Sequence, residues 1–218
     1  MYKIGLIEDN LPEASAVSLS IVENSQLIGE NDFKLYDLAH KDNFKELLLD
    51  EIKEDIIEGS VHCLIVDYKL DTLQEVMEGI EVVKFIHDLV PEFPVIILTN
   101  VPASSKENDK VDPDKVYSKD VFMNPDLEET KSMVYNIERN LERYVKNRAS
   151  LELRRENEIE KLNQNDNGSD EAYANLINIE IELSKFVPLQ MNTIDQTFNM
   201  QDMDEALELL KQYKNFLE

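Results

Sequence analysis

The chain has 218 residues, 42% hydrophobic and 31% charged, the balance of a globular protein with a sizeable core. Its formal net charge of −24, from 46 acidic against 22 basic residues, argues against nucleic acid as a partner, because phosphates reward clustered Lys and Arg. A single cysteine, Cys63, excludes an intrachain disulfide framework, and no apolar run approaches the roughly 20 residues that span a bilayer.

The opening "MYKIGLIEDN" carries no signal-peptide cleavage pattern, so the expected location is the cytoplasm, with no membrane partner. Five segments read as strands: "YKIGLI" (2–7), "FKLYDLA" (33–39), "VHCLIV" (61–66), "PVIILT" (94–99) and "KVYS" (115–118). Three of them are near-continuous apolar runs, as parallel strands covered on both faces should be. Between them, 12–23, 43–58 and 78–89 carry apolar residues at helical spacing; in the last, Ile80, Val83, Ile86 and Val90 mark one face. Strand and helix in alternation predict an α/β fold, a doubly wound parallel sheet of five strands with right-handed crossovers. The stretch 100–114, with two prolines and little apolar periodicity, reads as a loop where a fourth helix would normally sit.

After Asn124-Pro125 the pattern changes. Leu127, Val134 and Leu141 recur every seven residues, with Ile137, Tyr144 and Leu151 in the complementary positions, which predicts one long helix over 126–163 with a coiled-coil-like first half. Arg148 and Arg155 then occupy the seam. "NQNDNGSD" (163–170) is a turn, a second amphipathic helix follows over 170–187, and Asp202 with Glu205 caps a last one over 202–217. The expected organisation is thus an α/β domain over 1–125 and an all-helical extension over 126–218. The two parts differ in charge: the first holds 11 Lys and no Arg against 26 acids, while all five arginines fall in the second, mixed with glutamates as on a solvated helix face.

Polar residues end one strand after another. Glu8 and Asp9 follow strand 1, Asp67 strand 3, Thr99 strand 4 and Lys119 strand 5, and in an open parallel sheet ligands bind beyond those ends. Three carboxylates converging there need a cation, and hard oxygen ligands favour Mg²⁺. A hydroxyl and an ammonium beside that metal are what a phosphoryl group needs, and Asp67 could serve as the nucleophile that becomes an aspartyl phosphate. Taken singly, each feature has a plainer reading: an acidic pair as a solvated turn, a strand-end threonine as structural, a lysine as surface.

Taken in order, "IEDN", "LIVDYKL", Gly79 in "EGIEVV", "IILTN" and "VYSKD" resemble the receiver domain of two-component response regulators over about residues 1–125. The resemblance implies a flavodoxin-like sheet. It implies that Glu8, Asp9 and Asp67 hold Mg²⁺ with the backbone carbonyl of Lys69, that Asp67 accepts phosphate from a histidine kinase or phosphotransfer protein, and that Thr99 and Lys119 bind the phosphoryl oxygens. The chain departs from the family pattern in several places: Asn100 stands where a small residue usually follows the threonine, Asp120 replaces the proline after the lysine, and Val116 replaces the switch aromatic, with Tyr117 next door. The stretch between Asp9 and Asp67 and the loop "DYKLDTLQEVMEG" are both longer than usual.

The expected function is a response regulator, itself not an enzyme, that signals through protein–protein contacts of its helical C-terminus, homodimerisation included. The downstream partner is not named by the sequence. A pseudo-receiver scaffold without phosphotransfer is the alternative. A Mg²⁺-dependent phosphohydrolase would need a second acid two residues after Asp67, and that position is Lys69.

Overall fold

The computed structural model describes residues 2–36, 38, 44–71, 76–100, 115–164 and 169–188. In chain order the elements are β1 (Ile4–Ile7), α1 (Leu11–Asn24), β2 (Phe33–Leu35), α2 (Phe44–Glu58), β3 (Cys63–Asp67), β4 (Lys69–Asp71), β5 (Val76–Glu78), α3 (Gly79–Leu89), β6 (Val95–Thr99), β7 (Val116–Ser118), α4 (Lys119–Phe122), α5 (Glu128–Gln164) and α6 (Ser169–Leu183). Five strands form one all-parallel sheet in the order β2-β1-β3-β6-β7, the doubly wound arrangement whose order reverses beside β1. The expected loop over 100–114 and the helix over 202–217 lie outside the described residues, apart from Asn100.

Strand alternation divides the core into two layers. Leu64, Val66, Val95, Ile97 and Val116 point to the layer filled by α2 and α3. Cys63, Ile65, Ile96, Leu98 and Tyr117 point to the other, filled by Val17 and Ile21 of α1 and by Val134, Ile137 and Leu141 of α5. The period of two thus places consecutive residues of one strand under helices on opposite faces.

The heptad-spaced residues of the long helix are therefore spent inside the chain. Val134, Ile137, Leu141 and Tyr144 are all at most 2% exposed, packed on the sheet and its flanking groups, so the seam expected to be coiled-coil-like is occupied by the chain's own core. Beyond the sheet, α6 folds back antiparallel to α5. The Tyr144 hydroxyl donates to the Phe186 carbonyl at 2.6 Å, and Arg155 pairs with Glu180 at 2.8 Å. This helical pair is tied to the N-terminal edge of the sheet: the Phe93 and Tyr144 rings meet edge to face at 5.2 Å, and the Glu92 N–H donates to the Lys185 carbonyl. Arg148 donates to the carbonyls of Ile56 and Ile57 in the last turn of α2, the first of which also accepts the Gly59 N–H at 3.3 Å. One arginine of the mixed-charge segment is thus a cap and not a solvated residue.

Of the long stretch after Asp67, the described residues of β4 and β5 form a small antiparallel ladder. Lys69 pairs with Glu78 and Leu70 with Met77, and the last two side chains are fully buried.

Candidate functional site

The site lies at the C-terminal edge of the parallel sheet. Four-residue β1 is buried throughout and delivers Glu8 and Asp9 at its end. Asp67 is the last residue of β3, next to β1 in register. Thr99 closes β6 and is buried, paired across to Ser118, and Lys119 follows at the start of α4. Five of the six residues expected from the sequence are thus brought to one edge by parallel pairing alone. The sixth, Lys69, opens β4 two residues beyond Asp67 and is engaged with Glu78 in the small ladder.

Glu8, Asp9 and Asp67 each offer a carboxylate oxygen, and these atoms lie within 4.8 Å of one another. An octahedral Mg²⁺ about 2.1 Å from each ligand sets its oxygens about 3 to 4.2 Å apart, so the donor type fits and the spacing needs only slight closure. In the structure the neighbouring positive charge is Lys119, 3% exposed, whose Nζ lies 2.7 Å from Glu8 Oε2 and 3.2 Å from Asp67 Oδ1. A third carboxylate, that of Glu13 on the first turn of α1, also meets this ammonium.

Burial shapes the electrostatics. It pushes the Glu8 carboxyl up to about 7, although Lys119 and the Asn10 N–H, which donates to Glu8 Oε1 at 3.0 Å, both work the other way. Burial likewise raises Asp67, opposed by the charge of Lys119. For Lys119 burial would favour the neutral amine, but hydrogen bonds to Glu13 and Glu8 and the charge of Asp67 hold the ammonium well above the usual lysine range. The edge therefore keeps a cation beside two carboxylates, Glu8 and Asp67, that burial makes reluctant to ionise.

Glu13 and Asn10 were not among the residues singled out from the sequence. A glutamate in the first turn of a helix reads as a partner of the helix dipole, and its spacing of three from Asn10 is the one local sign. Asn10 Nδ2 donates to Glu13 Oε1 at 2.9 Å, while the Asn10 side chain makes no cap to α1.

Tyr117, the aromatic next to Val116, turns away from the α2/α3 layer. It is buried in the α1/α5 layer, its ring stacked on Phe122 with centroids 6.3 Å apart, whereas Val116 faces the opposite layer. Cys63 is buried, and burial pushes its thiol up to about 12, so it is inert packing. His62, expected within a strand, lies just before β3, where its Nδ1 accepts the Lys3 N–H at 3.1 Å.

The fold and edge together define an α/β sheet protein with an acidic, lysine-bearing site at its strand ends and a helical C-terminal region. Compared with protein-family models, curated proteins and solved structures, the chain matches none. No helix among the described residues is long and apolar enough to cross a membrane.

Proposed function

We propose that this chain is a phospho-accepting response regulator, with Asp67 as acceptor and protein contacts of its helical region as output. The observation that carries the reading is the convergence of Glu8, Asp9 and Asp67 at the strand ends of a doubly wound parallel sheet, with the ammonium of Lys119 on Glu8 and Asp67. An Asp67 carboxylate oxygen attacks the phosphorus of a phosphorylated imidazole or acyl phosphate. The new O–P bond forms as the donor's P–N or P–O bond breaks, and the bonding pair leaves with the donor, which takes up a proton where its basicity requires one. Glu8, Asp9 and Asp67 would hold Mg²⁺, which when bound neutralises charge on the phosphoryl oxygens. Lys119 supplies a second positive charge, and Thr99 a hydroxyl donor at the next strand end.

The route to an output runs through α4 and α5. Lys119 opens α4, whose Val121 carbonyl accepts from Thr130 Oγ1 at 2.7 Å in the first turn of α5. From there α5, about 55 Å long at 1.5 Å per residue, crosses the sheet and reaches Arg148 and the α6 contacts at the far edge. A displacement of Lys119 towards a phosphoryl group therefore acts on the start of the helix that carries the C-terminal helical pair.

A pseudo-receiver remains the second reading, favoured by the locked Tyr117 and by exposed Asn100 beside the site. Intact mass after treatment with acetyl phosphate separates the two. The proposal expects one phosphoryl adduct on the wild type, lost in Asp67→Asn and lost when Mg²⁺ is chelated. An unmodified wild type beside a competent receiver control supports the scaffold instead.

A further inference from the structure

We infer that Glu13, oriented by Asn10, holds Lys119 in the resting state and must release it before the ammonium can bind a phosphoryl group. The inference rests on the receiver reading of Asp67. An ammonium has three N–H donors. Lys119 faces three carboxylates, Glu8 Oε2 at 2.7 Å, Asp67 Oδ1 at 3.2 Å and Glu13 Oε2, the closest. A phosphoryl oxygen arriving on Asp67 can be bonded only if one of these contacts gives way.

The Asp67 oxygen stays beside the ammonium as part of the modified group, so the choice lies between Glu8 and Glu13, and burial decides it. Glu8 is 7% exposed and pinned on its other oxygen by the Asn10 N–H, so losing Lys119 would strand it. The Glu13 side chain is 33% exposed and can be rehydrated where it stands. Its remaining oxygen is fixed by Asn10 Nδ2 at 2.9 Å, which aims the carboxylate at the lysine. Asn10 spends its side chain on this contact and leaves the α1 N-terminus uncapped. Glu13 is thus a positioning residue: the exchange of Lys119 from Glu13 to the phosphoryl group sets a threshold for modification, and it places the released carboxylate on the first turn of α1.

The test compares wild type, Glu13→Gln and Asn10→Ala, all at equal thermal stability, in two readouts. The first is the rate of phosphoryl adduct formation with acetyl phosphate and Mg²⁺. The second is the ¹⁵N signal of the Lys119 ammonium without donor. Glu13→Gln is expected to form the adduct about three- to fivefold faster, the scale of one half-exposed ion pair, and Asn10→Ala to move the same way by less. Its Lys119 signal should shift and exchange faster with water. A wild-type or slower rate in Glu13→Gln, with adduct forming in both proteins, overturns the role of Glu13 and leaves Asp67 as acceptor. If no protein forms an adduct, the receiver reading falls, and the lysine signal alone decides: a shifted signal supports the Glu13 hold, and an unchanged one overturns it.

Discussion

Gly79 stands against the backbone of Asp67 so closely that a Cβ on it would lie 2.1 Å from the Asp67 carbonyl oxygen and 2.9 Å from a Val66 methyl. The Gly79 N–H donates to the Tyr68 carbonyl at 2.7 Å, so α3 begins directly on the strand end that presents Asp67. No side chain fits between them without moving the backbone of β3. Gly79→Ala is expected to lose about 2–4 kcal/mol of stability, measurable by urea unfolding, and to weaken Mg²⁺ binding even where the variant is folded. A fully stable Gly79→Ala with unchanged metal affinity would contradict this packing.

Lys119 balances the carboxylates around it, and its removal leaves buried negative charge. Lys119→Met should cost about 3–5 kcal/mol in chelator, the usual penalty for breaking a buried pair from one side. Added Mg²⁺ should restore much of that loss, raising the melting temperature of the variant far more than that of the wild type. Equal Mg²⁺ responses in the two proteins would show that metal and ammonium do not serve the same carboxylates.

On the α2 face, Asp55 accepts from the Tyr36 hydroxyl at 2.7 Å and from Ser60 Oγ at 2.6 Å, and pairs with Lys34. Burial alone would raise its carboxyl, but Lys34, Ser60 and Tyr36 together hold it below the usual aspartate range. A depressed folded value means stability that is full above the unfolded value of about 3.9 and is lost as pH falls through the folded one. Asp55→Asn should therefore lower the melting temperature at pH 7 and flatten its fall on the acid side of about pH 4. Parallel acid limbs in the two proteins would remove Asp55 from that account.

Arg148 caps α2 from a different part of the chain, and its guanidinium fork reaches two carbonyls while Nε pairs with Glu152. Arg148→Ala is expected to cost about 1–3 kcal/mol, and Arg148→Lys to recover less than half, because one ammonium cannot hold the same fork. Hydrogen exchange should show the loss at the last turn of α2. If Lys substitutes fully, charge alone and not the fork is at work.

Much of this architecture was legible because it rests on local periodicity. Continuous runs such as "CLIV" and "VIIL" have no polar face to expose, so they belong in a two-sided sheet, and parallel pairing then brings their polar ends together. Glu8, Asp9, Asp67, Thr99 and Lys119 were visible for that reason. What depends on distant partners was not. Glu13 acquires its role from a lysine that enters only after the fifth sheet strand. The seven-residue repeat of Val134 and Leu141 fits a second helix and a sheet face equally well, and the sheet takes it. The ladder of β4 and β5 was hidden because two buried anchors among its described residues, Leu70 and Met77, are too few to mark a strand period.

The most direct measurement is borohydride trapping after phosphorylation with acetyl phosphate and Mg²⁺, followed by peptide mass spectrometry. Reduction converts an aspartyl phosphate to homoserine and so reports the position of the acceptor as well as its existence. The account predicts homoserine at residue 67 and nowhere else, absent from unphosphorylated protein. Homoserine at Asp9 or another carboxylate, or none at residue 67 under conditions that label a known receiver, would contradict it.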